Sequence, residues 1–121
     1  MHKLMIVDDS KLIRKKIERE CDRGEFKVVC SAENGEQAVS MFREFSPQVV
    51  TMDLTMPNID GIGCIKQLVQ MNNEVKILVI SALNDKGIGI QALEEGAMGF
   101  ITKPFTETHL KTALAHILED E

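Results

Sequence analysis

Leu4-Met5-Ile6-Val7-Asp8-Asp9 runs from apolar residues straight into two acids, and Val49-Val50-Thr51-Met52-Asp53 repeats the arrangement in the middle of the chain. Short apolar runs of this kind read as parallel strands, and in an open α/β sheet ligands bind beyond the carboxyl ends of the strands. Asp8, Asp9 and Asp53 are therefore expected at one sheet edge. Carboxylates a few ångströms apart repel by about 4 kcal/mol per pair at ~4 Å and an effective dielectric of ~20, so they hold a cation or a proton. An all-oxygen site with room for water suits Mg²⁺.

Outward from these runs, strands and helices alternate. Residues 10–23 carry Leu12, Ile13, Ile17 and Cys21 at helical spacing, with Gly24 as the stop. Phe26–Ala32 is a Val-rich strand. Asn34 caps a helix whose apolar face is Ala38, Met41, Phe42 and Phe45, and Pro47 ends it before a strand over 48–52. Ile62, Ile65, Leu68 and Val69 define a helix over 60–71, and 75–80 is a continuous apolar strand, as where helices cover both faces.

Residues 84–95 form a helix through Ile88, Leu93 and an Asn84 cap, weakened by Gly87 and Gly89 at about 1 kcal/mol each relative to Ala. A short strand over 98–102 and a closing helix capped by Thr106, with Leu110, Ala113, Leu114 and Ile117 inside, complete five strands and five helices. Such alternation with short connections means an α/β fold with right-handed crossovers and helices on both faces of a parallel sheet.

At 121 residues the chain is read as a single domain, 1–121. No apolar run approaches the roughly 20 residues of a membrane span, and no leader is evident, so a cytoplasmic location without membrane contact is expected. The net charge of −5 argues against direct nucleic-acid binding. Lys11, Arg14, Lys15, Lys16 and Arg19 crowd one helix; they read first as a solvated face and second as a partner-docking surface. Cys21, Cys30 and Cys64 lack paired spacing and read as reduced core thiols.

Two more polar residues close strands as the acids do: Ser81 and Lys103. A cation held by carboxylates, an ammonium and a hydroxyl are what phosphoryl oxygens require, because phosphoryl transfer is mainly positioning and charge neutralisation. One carboxylate can be the nucleophile, giving an aspartyl phosphate. Asp53 stands alone at its strand end and is the candidate, whereas the adjacent Asp8 and Asp9 suit metal binding.

Ile6-Val7-Asp8-Asp9-Ser10, the run Asp53-Leu54-Thr55-Met56-Pro57-Asn58-Ile59-Asp60-Gly61, Ser81-Ala82 and Lys103-Pro104-Phe105 occur in order and at intervals that closely resemble the receiver domain of bacterial response regulators. The likeness covers the whole chain. It implies a flavodoxin-like, doubly wound five-stranded parallel sheet in the order 2-1-3-4-5, an order for which a chemotaxis receiver is itself the standard illustration and which the periodicity alone does not supply.

The resemblance also implies roles. Asp53 would accept a phosphoryl group from a sensor histidine kinase or a phosphotransfer protein. Mg²⁺ would be held by Asp9, Asp53 and the backbone carbonyl of Thr55, with Asp8 acting directly or through water. Lys103 would pair with the phosphoryl oxygens, Ser81 would move to hydrogen-bond one of them, and Phe100 would turn inward as the switch aromatic. The fourth helix, last strand and final helix would then bind a downstream protein target.

Phe100 lacks the hydroxyl of the tyrosine found in many relatives, which removes a readout through that group. Thr55 and Leu83, two positions past Asp53 and Ser81, would flank the attacking water, and an apolar Leu83 would slow dephosphorylation. The expectation is a stand-alone, monomeric phospho-receiver that catalyses only its own phosphorylation and dephosphorylation and can dimerise when phosphorylated; chemotaxis is one pathway open to it. Three readings compete: a receiver fragment of a longer transcription regulator, a Mg²⁺-dependent aspartyl-phosphate hydrolase, and a flavin-binding module. The hydrolase type places Asp-x-Asp at the first strand and usually adds a cap domain, whereas this chain has Asp8-Asp9 there.

Overall fold

β1 (His2–Val7), α1 (Lys11–Cys21), β2 (Phe26–Ala32), α2 (Gly35–Phe45), β3 (Val49–Met52), α3 (Gly61–Met71), β4 (Lys76–Ser81), α4 (Lys86–Glu94), β5 (Gly99–Thr102) and α5 (Glu107–Glu119) succeed one another along the chain. The structure is a computed structural model that describes residues 1–22, 24–54, 61–82 and 86–119. The strands form a single parallel sheet in the order β2-β1-β3-β4-β5, with Leu4 to Val7 of β1 paired to Val49 to Met52 of β3. The chain therefore has the flavodoxin-like topology. It departs from the sequence reading by only a residue or two at element ends, the usual scatter of helix and strand boundaries.

Alternation along the strands divides the interior into two cores. Met5, Val7, Ile77 and Val79 face α2, α3 and α4 and pack with Phe42, Ile65 and Leu68. Leu4, Ile6, Leu78 and Ile80 face α1 and α5 and pack with Ile17, Leu110 and Leu114. Cover on both faces is what allows β3 and most of β1 and β4 to be wholly buried, whereas β2 and β5, at the sheet edges, are largely half-buried. The helices start where the sequence supplies caps. Ser10 Oγ accepts from Ile13 N–H at 3.3 Å, Asn34 Oδ1 from Gln37 N–H at 2.8 Å and Thr106 Oγ1 from His109 N–H at 3.0 Å.

Three expected core positions are outside, Phe45 at the end of α2 the least so at 37% exposed. Leu12 is 80% exposed and Leu93 47% exposed. A helix turns about 100° per residue, so the stripe Ile13, Ile17 and Cys21 on α1 leaves Leu12 on the flank, and Ile88 with Ala92 on α4 does the same to Leu93. The Asn84 cap lies outside the described residues.

Cys21, Cys30 and Cys64 are thiols and not half-cystines, Cys21 and Cys64 being buried. Burial, reinforced by the Glu20 charge, pushes the Cys21 thiol from its ordinary 9.0 up to about 12. Burial and then Glu44 raise Cys30 to about 11. Both stay protonated near neutrality and act as small apolar groups. No helix among the described residues is long and apolar enough to cross a membrane.

Candidate functional site

The sheet does not end with its strands. Asp53 N–H donates to Val7 C=O at 2.9 Å, Asp8 N–H to Ala32 C=O at 3.0 Å and Lys103 N–H to Ser81 C=O at 2.9 Å, carrying the ladder one step further. These bonds are why residues distant in the chain arrive at one edge. Asp8 and Asp53 sit there at 1% exposure and Ser81 at 0%, while Asp9 is exposed.

Asp8 is the hub. Its Oδ1 accepts from Ser10 N–H at 2.9 Å, its Oδ2 accepts from Lys103 Nζ at 2.7 Å, and its backbone carbonyl accepts from Arg14 Nη1 at 2.8 Å. The same ammonium lies 3.8 Å from Asp53 Oδ1. Asp8, Asp9 and Asp53 each bring a carboxylate oxygen into a group whose members all lie within 4.8 Å of one another. Oxygen-only donors, two of them buried and one open to water, match the preference of Mg²⁺ for carboxylates with several retained waters.

All the sequence-selected strand-end residues thus lie at the same edge of the sheet, and Asp8, Asp9, Asp53 and Lys103 meet directly. Phe100 stands one strand-length back on β5. Its ring is partly buried against the α2-α3-α4 core, two of its carbons 3.4 Å from where a Cβ on Gly89 would project. The Thr55 carbonyl and Leu83 lie outside the described residues.

Sequence reasoning missed Arg14 and Lys16, taken as part of a solvated helix face. Arg14 holds the Asp8 carbonyl, and Lys16 Nζ donates to the Phe105 carbonyl at 3.0 Å. Their spacing on α1 carries no signal of this, because the partners are backbone carbonyls, one in the loop that leads into α1 and one in the loop before α5.

Lys103 is the ammonium that touches both buried carboxylates. Removing one partner of a buried ion pair leaves an uncompensated charge, a loss of about 3 kcal/mol or more. Lys103→Met is therefore expected to lower the urea midpoint markedly in metal-free buffer, and millimolar Mg²⁺ should recover more stability in the variant than in the parent. Equal gains in the two proteins would show that the ammonium is not what balances these acids.

A five-stranded parallel sheet in this order, carrying an acidic cluster and a lysine at its carboxyl edge, defines a phospho-receiver architecture. Residues 4–115 match the response regulator receiver domain family, and the chain belongs to it. The chain is 40% identical over 113 residues to the chemotaxis protein CheY of Bacillus subtilis, covering 93% of this chain and 94% of that protein. It is 36% identical over 112 residues to the CheY of Thermotoga maritima, with 93% of each covered.

Among solved structures, it superposes with a TM-score of 0.92 and 28% identity on a chain of the CheX-CheY-BeF3-Mg complex from Borrelia burgdorferi, covering 97% of this chain and 89% of that one. The receiver domain of Thermotoga maritima CheB gives a TM-score of 0.83 at 34% identity, covering 98% of this chain and 95% of that chain. Receiver domains of two-component systems accept a phosphoryl group, and they generally bind Mg²⁺ through acidic residues of the kind clustered here.

Proposed function

We propose that Asp53 is the phosphoryl acceptor and that the chain works as a response regulator whose output is a protein contact through α4, β5 and α5. A phosphohistidine on a sensor kinase or phosphotransfer protein is the donor. An Asp53 carboxylate oxygen forms the new bond to phosphorus as the bond from phosphorus to the histidine nitrogen breaks, and that electron pair leaves on the imidazole. Asp8, Asp9 and Asp53 would hold Mg²⁺, which supplies neutralisation of the charge gathered on the phosphoryl oxygens when bound.

The remaining work falls to the chain's own groups. Lys103, poised between Asp8 and Asp53, transfers its ammonium contact to a phosphoryl oxygen. The Ser81 hydroxyl donates to another. A phosphoryl group adds up to two negative charges and three strong acceptors, so it favours the arrangement that draws hydroxyl and ammonium inward. Ser81 moving forward makes room behind it for the Phe100 ring, which alters the surface formed by α4, β5 and α5. Exposed Ile90 and Leu93 on α4 give that surface an apolar component for a partner to cover.

The observation that carries this reading is the Lys103 ammonium held 2.7 Å from Asp8 and 3.8 Å from Asp53. The named relatives support chemotaxis as the pathway, since CheY proteins match this chain over nearly their whole length. Incubation with acetyl phosphate and Mg²⁺, then intact-mass measurement, tests the proposal: one phosphoryl increment per chain is expected. Continuous release of phosphate from many donors, with no stoichiometric label, would instead describe a hydrolase.

A further inference from the structure

Helix α1 does more than fill one side of the sheet. Lys16 Nζ donates to the Phe105 carbonyl at 3.0 Å and stands 4.6 Å from the centroid of the Phe105 ring, which is itself buried between α1 and α5. One ammonium thus grips both the backbone and the ring of the residue two positions past Lys103. Nearer the start of the helix, Arg14 holds the Asp8 carbonyl, and Ser10, which caps the helix, holds the Asp8 carboxylate. The β1-α1 and β5-α5 loops, whose side chains meet at the Asp8–Lys103 pair, are tied to the same rigid rod.

We infer that Lys16 is a positioning residue for the phosphoryl site: by anchoring Phe105 it fixes the loop that presents the Lys103 ammonium. The inference rests on the reading of Asp53 as phosphoryl acceptor. The interaction has the character such a role demands. A charge-assisted hydrogen bond is stronger than a neutral one, and the cation over the ring adds attraction along a second direction, so the loop is fixed in position and tilt. An apolar residue at this position would pack on the ring but leave the carbonyl unanchored. Displacement of a charged group by as little as about 1 Å can cost ~10²-fold in rate, which is the scale on which such an anchor acts.

Three variants test it: Lys16→Met, which keeps a stem against the ring and loses the charge and the donor; Lys16→Arg, which restores both; and Lys103→Met, which assigns the ammonium signal. With acetyl phosphate as donor, Lys16→Met is expected to lower the saturating labelling rate about tenfold, with Mg²⁺ affinity by calorimetry held within about twofold because no carboxylate is touched. Lys16→Arg should recover most of the rate. In parallel, proton exchange at the Lys103 ammonium, read by nitrogen-edited NMR, should be slow in the parent, fast in Lys16→Met and slow again in Lys16→Arg.

Unchanged rate and unchanged exchange in Lys16→Met would overturn the inference, as would a rate loss matched by an equal loss of Mg²⁺ affinity or one that Arg does not rescue. If the parent itself takes no label, the acceptor reading fails. The ammonium exchange comparison then still decides whether Lys16 holds the loop.

Discussion

Asp53→Asn is expected to show no phosphoryl increment after exposure to acetyl phosphate and Mg²⁺, and at the same time to unfold at a higher urea concentration than the parent in metal-free buffer. The first result comes from chemistry, since an amide oxygen is too weak a nucleophile to displace a phosphoryl leaving group. The second comes from the charge balance. Asp8 and Asp53 are each 1% exposed, and the Lys103 ammonium sits 2.7 Å from the former and 3.8 Å from the latter.

Burying a carboxylate costs several kcal/mol unless it is well paired, and among the described residues Asp8 and Asp53 share the Lys103 ammonium. Replacing Asp53 by its neutral isostere leaves the shorter Asp8–Lys103 pair intact and removes the repulsion between carboxylates. A gain of about 1–2 kcal/mol is expected, the usual sign when a binding group is deleted from a site built for function rather than stability. Added Mg²⁺ should shrink the difference. A label of full stoichiometry on the Asn variant would move the acceptor to another carboxylate, and a variant less stable than the parent would mean that Asp53 strengthens the fold.

Gly61→Ala is expected to be among the most damaging single-methyl changes in the chain. A Cβ on Gly61 would lie 2.5 Å from Leu54 Cα, 2.6 Å from the Asp53 carbonyl oxygen and 2.8 Å from Leu54 Cδ2. Two of these are main-chain atoms, so no rotamer change relieves the clash. The segment cannot retreat either: Asp53 N–H is tied to Val7 C=O at 2.9 Å, and Gly61 N–H to Leu54 C=O at 3.2 Å.

Overpacking that forces backbone shifts costs roughly 1–3 kcal/mol and occasionally more, and a clash with main-chain atoms belongs at the upper end of that range. The shift would fall on Asp53, so the folded fraction should also label more slowly than the parent. Urea unfolding with an unchanged slope, run beside labelling kinetics, checks both parts. A stability within experimental error of the parent would show that α3 can slide away from the Asp53–Leu54 segment at no cost.

This second case shows how far the sequence could be read. Gly61 stands in the string that carries the family resemblance, yet nothing local says what its missing side chain makes room for. That is a matter of how closely α3 approaches the end of β3. Leu12 and Leu93 fail for a related reason. Helical spacing shows that a segment has an apolar stripe but not which residues at its margin lie inside, because the answer depends on what the helix packs against. The caps at Asn34 and Thr106 were legible because each is a bond between residues three apart.

Local order was enough to establish the element types, their alternation, and the placement of Asp8, Asp9, Asp53, Ser81 and Lys103 at strand ends. Those properties depend on periods of 2 and 3.6 residues and on the kind of residue that closes each apolar run. Only the folded chain decided that Lys103 closes on Asp8 more tightly than on Asp53, and that Arg14 and Lys16 bind loop carbonyls instead of facing water. Lys16 and Phe105 are 89 residues apart and Lys103 and Asp8 95. Such pairs are brought together by the crossovers and the stacking of helices on the sheet, for which no short-range pattern in the chain provides a record.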